Sequence, residues 1–380
     1  MKNLLFLMRY PLEDAYNLKQ KFDGQLQSAV NLGYNVFHLA YDHKNVYLIN
    51  VNEQTKEKIC STTFGSLGAY RSSFGFYDLY RALGIVLKKI SIDCIYMRLK
   101  IVDGKAIKIL KKFKAGGGKL ILEIPSYNSK EKDLSFFRVL VKKILGIWQT
   151  KLPLYVDLYT LIGAENLNEY EGKPAMCISN GVCVENFPVH NCTYKNEIHI
   201  LALASMRIWH AYDRLIKGLA EYKGETPVYI EMVGNDGDGS LKEWQRMSES
   251  LGIEKFVNFR GGMYGDDLTK MMNECQVAAA TLGLHRNENT VGSVLKVREY
   301  CARGIPFVYG YDDSCLNGDE TFALKVESND NPIDIDKVVQ WVNEISNGQS
   351  IALQMRDFAK EKLSWEAQLK DVFKFVLGES

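Results

Sequence analysis

The chain has 380 residues, of which 46% are hydrophobic and 24% are charged, and its net charge is +1. This length and composition predict a globular protein with a sizeable core and favour two domains over one. Because the longest apolar runs have only the length of a strand, we expect no membrane-spanning helix, no secretory signal and a cytoplasmic location. The eight cysteines form no CxxC pair, which favours reduced core thiols over disulfides.

The charge is distributed unevenly along the chain. Residues 1–175 carry 26 Lys and Arg residues against 16 Asp and Glu residues, a net charge of +10, whereas the remaining residues carry −9. Two basic segments with interleaved apolar residues, 107–114 and 137–148, favour an anionic neighbour such as a membrane surface or a phosphorylated substrate. Each segment alone also fits an ordinary amphipathic helix that covers a sheet. No nucleic-acid recognition motif stands out, so we expect no nucleic-acid partner.

Strand-like and helix-like segments alternate through the first half of the chain. Continuous apolar runs predict strands at 4–8, 35–40, 92–97 and 119–123. Helical spacing of apolar residues predicts helices at 21–32 and 106–113. Alternation of this kind indicates an α/β domain with a doubly wound parallel sheet.

The same alternation restarts after residue 175. It predicts five more strands, at 198–204, 228–233, 257–259, 277–280 and 306–309. Helices are predicted to begin at Tyr212, Leu241, Asp266, Ser293 and Ile335. The chain therefore reads as two Rossmann-like domains in tandem, joined near 178–182.

Open α/β sheets bind ligands beyond the carboxyl ends of their strands, so the loops at those ends are the candidate sites. Arg207 and His210 follow the first strand of the second half, and His285 and Arg286 follow the fourth. A glycine-rich turn, 234–239, follows the second strand and resembles a phosphate-binding loop only loosely. In that turn, and again at 312–313, the acidic residues are more typical of turn capping than of a metal site.

The segment 288–313 places small residues before a predicted charged helix. Gly292 and Ser293 at a helix start would offer backbone N–H groups to a phosphate. Lys296 and Glu299 are spaced to share a face with Ser293, and a lysine with a carboxylate suits the diphosphate and ribose of a nucleotide. The alternative is an exposed Lys/Glu pair on a solvated helix.

Specific runs carry a resemblance to a known family. The segment 295–307 reads LKVREYCARGIPF, and 178–182, 209–218, 282–286 and the pair Ser364-Trp365 accompany it. Together they resemble the C-terminal domain of family 4 glycosyltransferases, which are GT-B fold enzymes that transfer a sugar from a nucleotide donor to an acceptor. In the first half, two further runs, 95–98 and 123–127, are similar to the branch that builds bacterial capsular and exopolysaccharides.

The resemblance implies two Rossmann-like domains that face each other across a cleft. Residues 1–177 would bind the acceptor, residues 178–355 would bind the nucleotide-sugar, and a helix within 356–380 would return toward the first domain. The implied reaction is sugar transfer with retention at the anomeric carbon, without a metal or other cofactor. The implied acceptor is a saccharide, in particular a lipid-linked one at the inner face of the membrane.

The resemblance also assigns residues to each substrate. The donor-binding candidates are Arg207, His210, Gly234, His285, Arg286, Gly292, Ser293, Lys296 and Glu299. The acceptor-binding candidates are Lys19, Lys21, Arg98 and Glu123. Of these, Glu123 is also the catalytic candidate, and the alternative for it is a structural hydrogen bond.

Two positions depart from the family pattern. The family carries two glutamates spaced as E-x7-E; Glu299 matches the second, but Val291 stands at the first. His210 stands where the family has a phosphate-binding lysine, and Arg207 is the nearest cation to the usual arginine. Val291 supports one alternative, a catalytically weak partner that binds a nucleotide-sugar or another transferase. A second alternative is a nucleotide-sugar epimerase or phosphorylase, because those enzymes share the GT-B architecture.

Overall fold

The structure is a computed structural model that describes residues 1–11, 16–42, 44–63, 71–125, 127, 146–192, 196–345 and 349–378. The chain divides into two compact units, one formed by Met1–Gly181 with Trp365–Ser380 and the other by Val182–Ser364. Of the predicted basic segment 137–148, only the last three residues lie in the described ranges. No helix in these ranges is long and apolar enough to cross a bilayer.

A nine-stranded sheet with the order β4-β3-β2-β1-β5-β6-β7-β9-β8 forms the centre of the first unit. Its strands are β1 (Asn3–Pro11), β2 (Asn35–Tyr41), β3 (Asn45–Asn50), β4 (Thr55–Ser61), β5 (Cys94–Met97), β6 (Lys119–Ile124), β7 (Leu158–Ile162), β8 (Glu169–Tyr170) and β9 (Lys173–Ile178). The described helices that precede the second unit are α1 (Tyr16–Asn31), α2 (Arg71–Lys89) and α3 (Gly104–Ala115). The four predicted strands and two predicted helices are confirmed, with ends shifted by a few residues.

The sheet is mixed, whereas the sequence predicted a parallel one. Strands β1, β5, β6, β7 and the neighbouring β2 and β9 run parallel, but β3 pairs antiparallel with both β2 and β4, and β8 pairs antiparallel with β9. The connections between these antiparallel neighbours are too short to hold a crossover helix, so each pair forms a hairpin. Most residues of β4 are exposed, so this strand lacks the apolar run by which β1, β2, β5 and β6 were predicted.

The second unit is built on a six-stranded parallel sheet with the order β12-β11-β10-β13-β15-β17. Its strands are β10 (Ile198–Leu203), β11 (Val228–Val233), β12 (Val257–Gly261), β13 (Val277–Ala279), β15 (Phe307–Tyr309) and β17 (Ala323–Lys325). Its helices are α4 (Asp213–Glu221), α5 (Ser240–Ser250), α6 (Gly265–Glu274), α7 (Leu295–Arg303), α8 (Ile335–Ile345) and α9 (Gln349–Phe358). The five predicted strands are all confirmed.

The predicted helix start at Ser293 is wrong. Residues Val291–Gly292 form a short strand, β14, which pairs in parallel with β16 (Asp312–Asp313). This pairing holds the backbone extended, and α7 begins only at Leu295, with Val294 at its N-cap. Gly292 and Ser293 therefore precede the helix and do not form its first turn.

The final helix, α10 (Trp365–Leu377), belongs to the first unit and packs against α1. The ring of Trp365 lies against Gly181, where a Cβ would come within 2.5 Å of the ring. Lys21 of α1 lies 5.5 Å from the centre of the same ring. Gly181 is the last residue before the second unit and Trp365 is the first residue after it, so the contact between them joins the two points at which the chain leaves and re-enters the first unit.

A buried carboxylate connects three strands of the second sheet. Glu231 of β11 has no exposed side-chain surface, and it accepts hydrogen bonds from His199 of β10 at 2.9 Å and from Asn258 and Arg260 of β12 at 2.9 and 2.7 Å. Burial acts to raise the pKa of Glu231, but the hydrogen bonds from His199 and Arg260 outweigh it and lower that pKa to about 2. The same bond to Glu231 raises the pKa of His199.

This arrangement predicts a pH-dependent contribution to stability. The pKa of His199 is higher in the folded protein than in the unfolded chain, so protonated His199 stabilises the folded state. This stabilisation is fully present below the unfolded pKa of about 6.5 and is lost as the pH rises through the folded pKa. We expect His199→Gln to lower the free energy of unfolding by roughly 1–2 kcal/mol near pH 6 and by less near pH 8.5, measured by denaturant unfolding.

The control for this prediction is Glu197→Gln, which removes only the exposed partner of His199. It is expected to change the free energy of unfolding by less than about 1 kcal/mol. A loss in His199→Gln that is the same at both pH values would contradict the assignment.

Candidate functional site

The order of the second sheet reverses between β10 and β13. From β10 the chain continues to β11 and β12 on one side, and it then returns to β13 on the other side of β10. At such a switch point the loops after the two strands diverge and open a crevice. The loops that follow β10 and β13 carry four of the predicted donor-binding residues: Arg207, His210, His285 and Arg286.

Tyr212 occupies the base of this switch point. It is fully buried, and its hydroxyl lies 3.3 Å from the Leu203 carbonyl oxygen at the end of β10 and 3.1 Å from the Ala279 carbonyl oxygen at the end of β13. The same hydroxyl accepts a hydrogen bond from the Lys296 ammonium at 3.0 Å. Tyr212 was not predicted as a site residue, and the available signal was its place two residues after His210 at a predicted helix start.

His210 lies beside this tyrosine with one ring nitrogen already engaged. Its ring stacks on Tyr212 with centroids 5.7 Å apart, and its Nδ1 accepts a hydrogen bond from the Arg207 backbone N–H at 3.1 Å. Burial lowers the pKa of His210 to about 2, and the nearby Lys296 charge acts in the same direction. His210 is therefore a neutral imidazole at physiological pH.

Lys296 projects from the first turn of α7 to the same place. Within the described part of the chain, its ammonium has no carboxylate partner and bonds only to Tyr212. Although the residue as a whole is half-buried, desolvation of the ammonium lowers the pKa of Lys296 to about 7. A desolvated cation beside a neutral imidazole is suited to an anionic ligand.

The glycine-rich turn after β11 supports the loop that carries Arg207. Asp238 accepts a hydrogen bond from the Ile208 backbone N–H at 3.0 Å, and the Arg207 guanidinium lies 5.1 Å from the centre of the Trp209 ring. Gly234 has φ +137°, and a Cβ there would lie 1.7 Å from a backbone carbonyl oxygen of that loop. Turn capping is confirmed for Asp236, which accepts a hydrogen bond from the Gly239 backbone N–H at 2.8 Å.

Arg286 and His285 are engaged by carboxylates of the second unit. Arg286 makes a two-pronged ion pair with Asp213 at 2.6 and 2.9 Å, and its Nε donates to Asp330 at 2.6 Å. His285 Nε2 lies 3.2 Å from the same Asp330 oxygen. Arg286 therefore joins the loop after β13 to the start of α4, and both residues join that loop to Asp330.

The charged residues of α7 divide into two kinds. Arg298 is buried and forms a two-pronged ion pair with Asp313, which also accepts hydrogen bonds from the Tyr311 hydroxyl and a backbone N–H. Glu299 is partly exposed and accepts from Arg303 at 2.8 Å. Of the charged pair predicted to face a ligand, Lys296 lies at the switch point beside His210, and Glu299 lies one turn further along the helix.

The first unit brings three of the four predicted acceptor-binding residues together. Glu123 has no exposed side-chain surface, and its oxygens lie 3.3 Å from Lys21 Nζ and 3.0 Å from Arg98 Nε. Burial acts to raise the pKa of Glu123, but the charges of Lys21 and Arg98 hold it below its ordinary value. Lys19 is exposed and pairs instead with Asp23 at 3.7 Å.

Further hydrogen bonds satisfy the Glu123 carboxylate. Gln25 donates to it at 2.8 Å and the Tyr96 hydroxyl donates at 2.7 Å. A carboxylate that is fully buried and satisfied in this way cannot contact an acceptor hydroxyl. Of the two roles predicted for Glu123, the structure therefore favours the structural one, in which it positions Lys21 and Arg98. Arg98 retains 18% of its side-chain surface and is the exposed end of this cluster.

Comparisons with known proteins bear on the fold. No family model and no curated protein matches the sequence. Among solved structures, HepE from Anabaena in complex with UDP is 14% identical with a TM-score of 0.60, and a glycosyltransferase from Rickettsia africae is 13% identical with a TM-score of 0.61; each match covers 100% of both chains. The lipopolysaccharide outer core galactosyltransferase WaaB is 13% identical with a TM-score of 0.61, again over 100% of both chains.

These neighbours share one architecture. Their similarity extends over the whole chain, and they are glycosyltransferases of the GT-B fold. The prediction of a GT-B fold is thereby confirmed.

Mutation can distinguish the buried ion pair of Arg298 from the partly exposed ion pair of Glu299 on α7. Arg298→Met leaves Asp313 buried without its cation, and we expect it to lower the free energy of unfolding by about 3–5 kcal/mol, measured by denaturant unfolding. Glu299→Gln on the same helix, which breaks only a partly exposed pair, is expected to cost less than about 1 kcal/mol. Equal losses in the two variants would rule out this division.

Proposed function

We propose that the chain is a nucleotide-sugar-dependent glycosyltransferase whose donor site lies at the switch point of the second unit. One observation carries the proposal: Lys296 and His210 both contact buried Tyr212 at the switch point, where the loops after β10 and β13 diverge. The Lys296 ammonium has no carboxylate partner among the described residues. HepE, which has the same fold, has been solved with UDP and with UDP-glucose. A nucleoside diphosphate sugar is therefore the ligand class that best fits the site.

The reaction transfers the sugar with retention at its anomeric carbon and releases the nucleoside diphosphate. As the glycosidic bond breaks, negative charge builds on the diphosphate, and hydrogen-bond donors fixed in a desolvated site stabilise that charge. Lys296 and His210 supply these donors, and Arg207 adds a cation on the loop that carries His210. The Glu299 carboxylate, which is partly exposed, accepts hydrogen bonds from the ribose hydroxyls. This set of cations requires no metal to neutralise the leaving group.

The acceptor is a saccharide bound by the first unit, where Arg98 is the exposed end of the Glu123 cluster. We infer that this saccharide is lipid-linked and that the enzyme serves bacterial surface polysaccharide synthesis at the inner face of the membrane, as the family resemblance implies. The excess of +10 in residues 1–175 supports an anionic acceptor or surface.

A basic face on the first unit supports the membrane part of this proposal. We define this basic face as Lys108, Lys111 and Lys112 of α3 together with the exposed residues Lys151, Ile147 and Leu154 of the segment 146–155, against which α3 packs. The apolar side of α3 is buried, whereas Ile147 and Leu154 keep 66% and 68% of their surface. Lysines around exposed apolar side chains fit an anionic lipid surface.

The departure at Val291 favours a second candidate function. A chain that binds a nucleotide-sugar without turnover, as the partner of another transferase, would keep the site at Lys296 and dispense with the missing glutamate. Turnover separates the two functions: the transferase releases nucleoside diphosphate when an acceptor is present, and the partner does not.

The donor site predicts selective nucleotide binding. A saturating nucleoside diphosphate at about 100 times its Kd stabilises the folded protein by roughly 2.7 kcal/mol, which raises the melting temperature by several degrees. UDP, GDP, ADP and TDP are to be compared by thermal shift, and we expect one of them to act selectively. The shift is expected to disappear in Lys296→Met and Glu299→Ala.

The matched control is Lys270→Met, which removes an exposed lysine of α6 and is expected to keep the full shift. Absence of a shift with all four nucleotides in the wild-type protein would refute the donor site. Binding without release of nucleoside diphosphate from any donor and acceptor pair would favour the partner function.

The basic face predicts binding to anionic membranes. In sedimentation with vesicles, we expect the protein to bind those that contain an anionic phospholipid and not those of zwitterionic lipid alone. The triple variant K108Q/K111Q/K112Q is expected to bind about 100-fold more weakly, because each lysine near the surface contributes roughly 1 kcal/mol.

The control for total charge is K242Q/K255Q/K270Q, which removes three exposed lysines of the second unit. This variant is expected to bind vesicles as the wild-type protein does. Equal weakening in both triple variants would show that net charge, and not the basic face, governs binding.

A further inference from the structure

His210 is fixed in one tautomer by the protein backbone. Its Nδ1 accepts a hydrogen bond from the Arg207 N–H, and an N–H donor can face only an unprotonated ring nitrogen. The proton of the neutral ring is therefore on Nε2. Within the described part of the chain, Nε2 has no hydrogen-bond partner, so its N–H remains available to a ligand.

Lys296 lies next to this imidazole without a neutralising group. Its ammonium donates to the Tyr212 hydroxyl at 3.0 Å, and that hydroxyl lies within hydrogen-bond distance of the carbonyl oxygens of Leu203 and Ala279. Desolvation without a counterion disfavours the charged form of a lysine. An anionic ligand at the site would supply the missing negative charge.

We propose that the two residues bind the diphosphate as an unequal pair, in which neutral His210 donates from Nε2 and Lys296 takes up a proton from solvent as the anion arrives. This inference rests on the proposed function and states how that site changes its charge. The Lys296 amine gains one proton and becomes the ammonium, and release of the diphosphate returns that proton to solvent.

None of the described groups around Lys296 can donate the proton, so the proton comes from solvent. Burial lowers the pKa of His210 to about 2, so its ring has no additional proton to give. Burial holds the pKa of the Tyr212 and Tyr300 hydroxyls well above the ordinary value, so neither one ionises near neutral pH. Glu299 accepts a hydrogen bond from Arg303 on the same helix.

The permanently charged residues nearby have other partners. The Arg207 guanidinium lies over the Trp209 ring. Burial acts to raise the pKa of Asp238 on the glycine-rich turn, but hydrogen bonds from Ser240 and Ile208, with a smaller effect of the Arg207 charge, lower it. Arg298 is engaged by Asp313. Lys296 is therefore the group at this site whose charge changes with ligand binding, because burial lowers its pKa to about 7.

Calorimetry of UDP binding tests the proposal. Titrations near pH 8, in buffers that differ in their enthalpy of ionisation, count the protons exchanged on binding. At that pH the terminal phosphate of UDP is fully ionised, since its second pKa is about 6, and the free lysine is mostly neutral. We expect uptake of close to one proton per UDP bound.

Three variants identify the groups. Lys296→Arg carries a permanent charge and is expected to bind UDP without proton uptake. Lys296→Met is a second test, in which both the uptake and most of the affinity are expected to be lost. His210→Phe keeps a ring to stack on Tyr212 but lacks the Nε2 donor; we expect about 10- to 100-fold weaker binding with an unchanged proton count.

Each outcome has a separate meaning. Wild-type binding of UDP without proton uptake would overturn the inference and leave the proposed function standing. Uptake that persists in Lys296→Arg, or that disappears in His210→Phe, would assign the proton to another group and also overturn the inference. If neither UDP nor another nucleoside diphosphate binds, the proposed function fails and the inference fails with it.

Discussion

Tyr212 connects the two strands at which the second sheet reverses its order. Its buried hydroxyl lies within hydrogen-bond distance of the last carbonyl oxygens of β10 and β13, and it accepts the hydrogen bond of Lys296. The crevice at a switch point follows from chain connectivity, because the loops after the two strands leave in opposite directions. Through Tyr212, the position of the candidate cation is set by the sheet itself.

The charged residues discussed above fall into two groups, those with an oppositely charged partner and those without one. Arg286 with Asp213, Arg298 with Asp313 and Glu123 with Lys21 are ion pairs that hold loops or helices in place. Buried ions need such compensation, since desolvation of an unpaired charge costs several kcal/mol. Lys296 has no carboxylate partner in the described part of the chain, and burial lowers its pKa to about 7. Burial also lowers the pKa of Lys21, although Glu123 pairs with it, so the missing carboxylate is what sets Lys296 apart.

The sequence predicted four of the nine strands in the first sheet and five of the six in the second, because a buried parallel strand is a continuous apolar run. It did not predict β4, whose residues are mostly exposed, or the antiparallel pairing that follows from short connections. The sequence assigned His210 to the loop after β10 and Lys296 to the start of a helix, and the structure has them there.

The later start of α7 was not visible in the sequence, because it depends on the pairing of Val291–Gly292 with a strand some twenty residues away. The role of Tyr212 was hidden for a similar reason, since its contacts join distant strands. The burial of Glu123 also depends on a helix, α1, that lies far from it in sequence.

The edge strands of the first sheet have a consequence for self-association. On one side, β4 exposes Lys56, Glu57 and Lys58 in succession, and on the other side β8 is only two residues long. Unpaired backbone groups at a sheet edge invite another strand, and charged or very short edge strands are the usual protection against such pairing. Continuous β-sheet growth between copies is therefore disfavoured at both edges, even at high protein concentration.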